Sequence, residues 1–350
     1  MKRFFILFTF LLAIEAKIHV LEALTYNVTL PKNTKVYFMS NSDGEALKKI
    51  TITAANSKIN TNFFAYSVPR EDGSVAPLLI TADSDVLNVT KPDGVNAQLT
   101  LYYNENIPNL NIFPVSQSSS IRVKSGVNAF FKIDSSTEKI LQVKNVKVDG
   151  NAKVVGYAGV PGDVTPYVFF DTSVYQENKF YRLLNVPRDN FYFDQIDSGV
   201  TYEVVLGVVG LNFEESGVLM TSGFPTGSMN RTDSIPSVVT NGGPVSLHVK
   251  PFFYSRIRYN TDIKVYFRGG AAQGNSFSSV GDAKLEAEGL ISQVEILSQG
   301  SYSMQYYVSQ KSTNPIQTTP SSSLQTTTKS SDSVNHGLLI LSVFVSSLIL

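Results

Sequence analysis

Apolar residues in this chain recur at every second position, in short runs broken by turn residues, and that period admits strands and little else. In Thr25-Tyr26-Asn27-Val28-Thr29-Leu30 the apolar set Tyr26, Val28, Leu30 faces one way and Thr25, Asn27, Thr29 the other. The alternation returns in Ala97-Gln98-Leu99-Thr100-Leu101, in Ile263-Lys264-Val265-Tyr266-Phe267 and in Ser303-Met304-Gln305-Tyr306-Tyr307-Val308. Tyr202 to Val209 is apolar on both faces apart from Glu203, which predicts a central strand. Asp43-Gly44, Asp72-Gly73, Asp93-Gly94 and Asp149-Gly150 supply turn residues between such runs. The 22 Phe and 17 Tyr favour strands and fill the space between sheets. Ala283 to Leu297 fits either period, but Gly289 at its centre costs a helix about 1 kcal/mol, so it reads as two strands.

These runs predict an all-β fold of two or three tandem antiparallel β-sandwich domains, then a disordered Ser/Thr-rich stalk. A strand, a Pro/Asn turn and a second strand make up Val28 to Phe38. The layout recurs at Ile121 to Phe131 and from Leu247 through Pro251 to Phe267, suggesting internal repetition in units of about a hundred residues. The expected boundaries are 17–105, 106–210 and 211–308 for three sandwiches, 309–333 for the stalk and 334–350 for an apolar tail.

The two ends read as addresses. Lys2 and Arg3 precede the apolar run Phe4 to Ala13, far short of the ~20 residues that span a bilayer. This describes a secretory signal peptide over 1–16, cleaved after Ala16, with Ala23 as the alternative. At the other end, Gly337 to Leu350 carries no charge and the sequence stops while still apolar. Small residues, a polar spacer and a terminal apolar tail match the signal for a glycosylphosphatidylinositol (GPI) anchor, with attachment expected at Ser330 and with Ser331 and Ser333 as alternatives. A short membrane helix is the rival for this tail. Between body and tail, 14 of the 25 residues from Ser309 to Ser333 are Ser or Thr. Such a segment has too little to bury to offset its ordering entropy, and in a secreted chain it reads as an O-glycosylated stalk.

The chain has no cysteine, so a secreted form relies on burial rather than disulfides, which excludes cysteine-scaffold modules and thiolate metal sites. Three N-glycosylation sequons occur, at Asn27, Asn88 and Asn230. Asn27 falls on the polar face of its strand. The 29 basic and 29 acidic side chains balance, and no nucleic-acid partner is expected.

Catalytic chemistry has little to draw on. His19 lies near the cleavage region, His336 belongs to the tail, and His248 alternates with Leu247 and Val249 and so is expected to face solvent. No G-x-S-x-G elbow and no phosphate-cradling glycine loop occurs. Phe170-Asp171-Thr172-Ser173 and Ile196-Asp197-Ser198-Gly199 each resemble an aspartic-protease loop, but the two aspartates lie 26 residues apart, too close for two lobes to fit between them. Turn and strand-end roles suit both aspartates better. Asp83-Ser84-Asp85 reads as a solvated turn rather than a calcium loop. Tyr102, Tyr175 and Tyr307 are candidates for stacking on sugars, with packing against a sheet as the commoner fate. No catalytic residue, cofactor or metal is expected.

The basic-apolar start, the strand-Pro-strand hairpin Val28 to Phe38, the multi-strand body and the GPI-like tail resemble the nematode CUB-like surface proteins. That resemblance implies a β-sandwich protein of the cell surface, linked to innate defence, with no catalytic residues to transfer. Together these readings lead to a glycosylated ectodomain held on the extracellular face of the plasma membrane by a GPI lipid or a short C-terminal helix. It acts there by binding an extracellular protein or glycan, or by coating the surface. The rival is a secreted hydrolase using carboxylates such as Asp171 and Asp197.

Overall fold

The computed structural model describes residues 17–21, 25–30, 34–40, 46, 48–54, 57–60, 78–81, 86–95, 99–104, 107–116, 125–133, 137–163, 166–195, 198–208, 212–225, 231–238, 244–252, 261–267, 273–277, 283–288, 290–298 and 300–310. Contacts divide the chain into Met1–Lys311 and Ser312–Leu350, and the described residues all belong to the first.

The regular structure is strand, as the period of two requires. The N-terminal strands are β1 (Lys17–Leu21), β2 (Thr25–Thr29), β3 (Lys35–Met39), β4 (Thr51–Ala54), β5 (Ser57–Asn60), β6 (Leu78–Thr81), β7 (Val86–Thr90) and β8 (Leu99–Asn104). A middle set follows as β9 (Leu110–Val115), β10 (Gly126–Lys132), β11 (Lys139–Val148), β12 (Val154–Ala158), β13 (Tyr167–Asp171), β14 (Phe180–Val186), β15 (Asn190–Gln195) and β16 (Val200–Val208). The last set is β17 (Ser216–Met220), β18 (Arg231–Pro236), β19 (Pro244–Phe252), β20 (Thr261–Phe267), β21 (Gln273–Phe277), β22 (Ala283–Glu288), β23 (Ile291–Ser298) and β24 (Ser303–Gln310).

Pairing arranges them in five sheets: sheet I (β2-β7-β4-β5), sheet II (β1-β8-β3-β6), sheet III (β13-β12-β15-β10-β9), sheet IV (β16-β11-β14-β17-β24-β19-β22) and sheet V (β18-β23-β20-β21). Counted within each set of eight, the first set has the orders 1-8-3-6 and 2-7-4-5, and the last set repeats both. That is the topology of an eight-stranded jelly roll, two sheets wound together as Greek keys. The middle set follows the same plan with one change. Its second, seventh, fourth and fifth strands form β10-β15-β12-β13, and its eighth, third and sixth form β16-β11-β14. Its first strand, β9, has left β16 and lies parallel to β10 on sheet III.

Asparagines hold this parallel pair. Asn109 takes a φ of 54° and its carbonyl accepts the N–H of Val127 at 3.2 Å. Asn111 and Asn128 are register partners, the Asn111 Nδ2 donating to Asn128 Oδ1 at 3.2 Å, and Asn128 Nδ2 donates to Gly126 O at 3.1 Å. Gly126 sits at a φ of 110°, where a Cβ would lie 2.6 Å from Asn109 O, so only glycine fits there.

Four apolar layers separate the five sheets. Val28, Ile52, Leu87 and Val89 of sheet I meet Val36, Phe38, Leu99 and Leu101 of sheet II. The other face of sheet II, with Tyr37, Met39 and Tyr102, packs on Ala129, Phe131 and Tyr192 of sheet III. Between sheets III and IV lies a layer of aromatic rings, including Phe113, Phe130, Phe169, Phe170, Phe191 and Phe193. Sheet IV then meets sheet V through Val245, Leu247, Val249, Ile235, Val294 and Ile296.

Several expectations are corrected. Val28 to Phe38 is not a hairpin: β2 pairs with β7 in sheet I while β3 pairs with β6 and β8 in sheet II, so the chain crosses between sheets there. β16 is the edge of sheet IV rather than a central strand, with burial that alternates over Val200 to Val204. The antiparallel expectation meets two parallel pairs, β9 with β10 and β14 with β17. The turns at Asp93-Gly94 and Asp149-Gly150 are present, both glycines having positive φ, and both join strands of different sheets. Asp43-Gly44 and Asp72-Gly73 lie outside the described residues.

Candidate functional site

The first candidate surface is the outer face of sheet I, whose inner face is committed to a core. Asn27 of β2 and Asn88 of β7 are direct register partners, and Thr53 of β4 is the next partner of Asn88. Two sequons 61 residues apart are thereby brought side by side. Asn27, Thr29 and Thr90 are exposed, and Asn88, Thr51 and Thr53 are half-buried. The alternation that buries Val28, Leu87 and Val89 turns these hydroxyls and amides outward. Asn230 lies outside the described residues.

The second is the seam where the middle roll lies over the C-terminal one. Met304 and Tyr306 of β24 enter the layer shared with sheet V, while Ser303, Gln305 and Tyr307 point toward the middle roll. Gln305 is fully buried and satisfied along the edge of β13: its Oε1 accepts Asp171 N–H at 2.9 Å, and its Nε2 donates to Asp171 O and to Tyr181 Oη, each at 2.9 Å. Ser303 Oγ donates to Phe169 O at 3.2 Å.

Farther along the seam, the segment after β13 brings Tyr175 and Glu177 over the sheet. His248 of β19 and Tyr307 of β24 are cross-strand partners with rings stacked at 4.2 Å and 8°. Tyr175 meets Tyr307 edge-on at 4.9 Å. The Tyr307 hydroxyl donates to Glu177, which holds that carboxyl below its ordinary range, while burial first and that carboxylate second raise the Tyr307 phenol. His248 Nε2 lies 3.0 Å from Ser309 Oγ. A hydroxyl beside an imidazole is the start of a nucleophile-base pair, but the carboxylate of the cluster goes to Tyr307, and the imidazole lies flat against a ring. The arrangement is one of packing.

His248 is therefore half-buried rather than solvent-facing, because its face of the sheet is covered by the middle roll. Tyr102, Tyr175 and Tyr307, considered for sugar stacking, are all buried. Tyr102 donates to Pro161 O at 2.9 Å and stacks with Tyr37. Glu177, Gln305 and Ser309 were not singled out from the sequence. No local motif marks them, since their partners lie 61 to 134 residues away.

Asp171 does not present a free carboxylate: its Oδ1 accepts the N–H and Oγ of Ser173 at 2.8 and 2.7 Å, closing a turn. Asp197, Asp83, Asp85, the segment 1–16, Ser330 and the tail lie outside the described residues. Among the described residues, no group of three or more His, Asp or Glu is placed to hold a metal, and no helix is long and apolar enough to cross a membrane.

No protein-family model matches this sequence, and no curated protein matches it. The resemblance to the nematode CUB-like surface proteins therefore rests on the sequence pattern alone. Among solved structures, a chain of the entire lipid-containing bacteriophage PM2 aligns over 84% of this chain and 85% of its own length, at 8% identity and a TM-score of 0.17. A likeness that small carries no argument.

Proposed function

We propose that this chain is an extracellular glycoprotein, held at a membrane by its apolar tail, that acts through binding or coating at that surface rather than through catalysis. The observation that carries the reading is the outer face of sheet I, where Asn27 and Asn88 stand as neighbours on a polar surface backed by a complete core. Sugars attached there extend into solvent without disturbing packing. The basic-apolar start and the Ser/Thr-rich segment before the tail fit the same picture, lifting a stack of sandwiches away from a lipid surface.

The test is made on cells producing the full chain. Peptide-N-glycosidase is expected to raise gel mobility, with a smaller shift for Asn27→Gln and a smaller one again for Asn27→Gln with Asn88→Gln. A phosphatidylinositol-specific phospholipase is expected to release the chain from the cell surface. Retention after verified enzyme activity argues for a membrane helix, and an unglycosylated chain in the cytosol overturns the reading. The rival hydrolase loses its ground if purified protein and its Asp171→Asn variant are equally inert on peptide and glycan panels.

A further inference from the structure

In two of the three jelly rolls the eighth strand is flanked on both sides: β8 by β1 and β3, and β24 by β17 and β19. The eighth strand of the middle roll, β16, has β11 on one side and, among the described residues, no strand on the other. The strand that fills this position in the other two rolls is here β9, held on sheet III by its asparagine pairing with β10. Among the described residues, therefore, no strand pairs with this side of β16, although β9 still passes in contact with it.

The remaining sheet edges are guarded in the ways edges commonly are, by shortness, charge or proline. No other edge strand exceeds six residues. β22 carries Lys284, Glu286 and Glu288, β18 carries Arg231, Asp233 and Pro236, and β9 carries Pro114. β16 has nine residues, a single charge at Glu203 and no proline. It ends in Val208, 75% exposed and the most exposed large apolar side chain among the described residues.

We propose that β16 pairs antiparallel with β16 of a second copy of this chain, joining two copies of sheet IV across a two-fold axis. Register follows from length and charge. The midpoint of Val200–Val208 is Val204, and an axis there pairs all nine residues. It sets Val208 opposite Val200 of the second copy and Tyr202 opposite Leu206. Glu203 then meets Val205 of the second copy instead of another Glu203, as an axis at residue 203 would impose. A two-fold contact of this kind closes on itself and does not grow into a fibre. The proposal is independent of the membrane and glycan reading.

The test uses the full chain in detergent, with mass measured by sedimentation. The parent is expected to run as two chains. Val205→Glu sets like charges opposite each other twice per contact and is expected to halve the mass with an unchanged circular dichroism spectrum. Val205→Lys places opposite charges there and is expected to keep the mass of two chains. Because the sequence lacks cysteine, single introduced thiols report geometry cleanly. Val204→Cys is expected to form a disulfide-linked pair, while Thr201→Cys, about 20 Å from its counterpart in this register, is not. A single-chain mass for the parent, or a two-chain mass that Val205→Glu leaves intact, overturns the proposal. If Val205→Glu fails to fold, the thiols decide: linkage of Val204→Cys no greater than that of Thr201→Cys overturns it too.

Discussion

Gln305 joins two jelly rolls with one side-chain amide. It offers an acceptor and donors to both backbone groups of Asp171 and to the Tyr181 hydroxyl, all at 2.9 Å, with Gln305 and Tyr181 themselves fully buried. Removing it strands those partners in a buried seam, where an unsatisfied polar group costs about 1–3 kcal/mol. Gln305→Ala is accordingly expected to lower unfolding free energy by about 3 kcal/mol in urea titration, and Gln305→Met, which matches the volume but leaves the same partners unsatisfied, is expected to be more damaging than its volume match alone suggests. The sequence pattern assigned Gln305 and Ser303 to the face opposite Met304 and Tyr306, and that assignment holds. It gave no hint that this face is covered, because period-two alternation reports which side a residue faces and not what packs against that side. His248, Tyr175 and Tyr307 follow the same logic: each is on a sheet face or loop where a polar or amphipathic residue is ordinary, and each is enclosed by a neighbouring roll.

At the scale of elements, the middle and C-terminal rolls are fused by the short parallel contact of β14 with β17. Gly217 makes that contact feasible, since a Cβ at this position would lie 2.0 Å from Leu183 O. Ser216 secures it by donating to Phe180 O at 2.8 Å. Gly217→Ala is expected to force the strands apart and destabilise the protein by about 2 kcal/mol or more, seen as earlier unfolding of the C-terminal roll in hydrogen exchange. Individual strands were legible: the two runs within Ala283 to Leu297 are β22 and β23, split at Gly289 as its helix penalty suggested. Pairing was not legible. Val28 to Phe38 contains β2 and β3, whereas the stretch aligned with it near the C-terminus contains β19 and β20. The counterparts of β2 and β3 in the last roll are β18 and β19, so that alignment of the repeat is one strand out of step. Similar composition in neighbouring strands blurs the register, while the sheet orders 1-8-3-6 and 2-7-4-5 make the repetition explicit.

For the whole molecule, stability in a chain without cysteine rests on four apolar layers, and tyrosine is built into all of them. Burial raises the phenols of Tyr102, Tyr192, Tyr202 and Tyr306 above their ordinary value of 10.0, and pushes Tyr181 up to about 12. An unfolded chain ionises these groups near 10, so it releases protons before the native state does. Their contribution is complete below that pH and is lost as pH climbs above it. Melting temperature is expected to be insensitive to these tyrosines up to about pH 10 and to fall beyond it, with tyrosinate absorbance appearing together with unfolding. Layering also leaves the outer face of sheet I clear of the cores, and there the sequons of Asn27 and Asn88 converge. The most direct measurement on the account is mass spectrometry of the peptides holding Asn27 and Asn88, from chain recovered at the cell surface and treated with peptide-N-glycosidase in heavy-oxygen water. Labelled aspartate is expected at both positions; unmodified asparagine at both, in chain that has reached the surface, contradicts the glycoprotein reading.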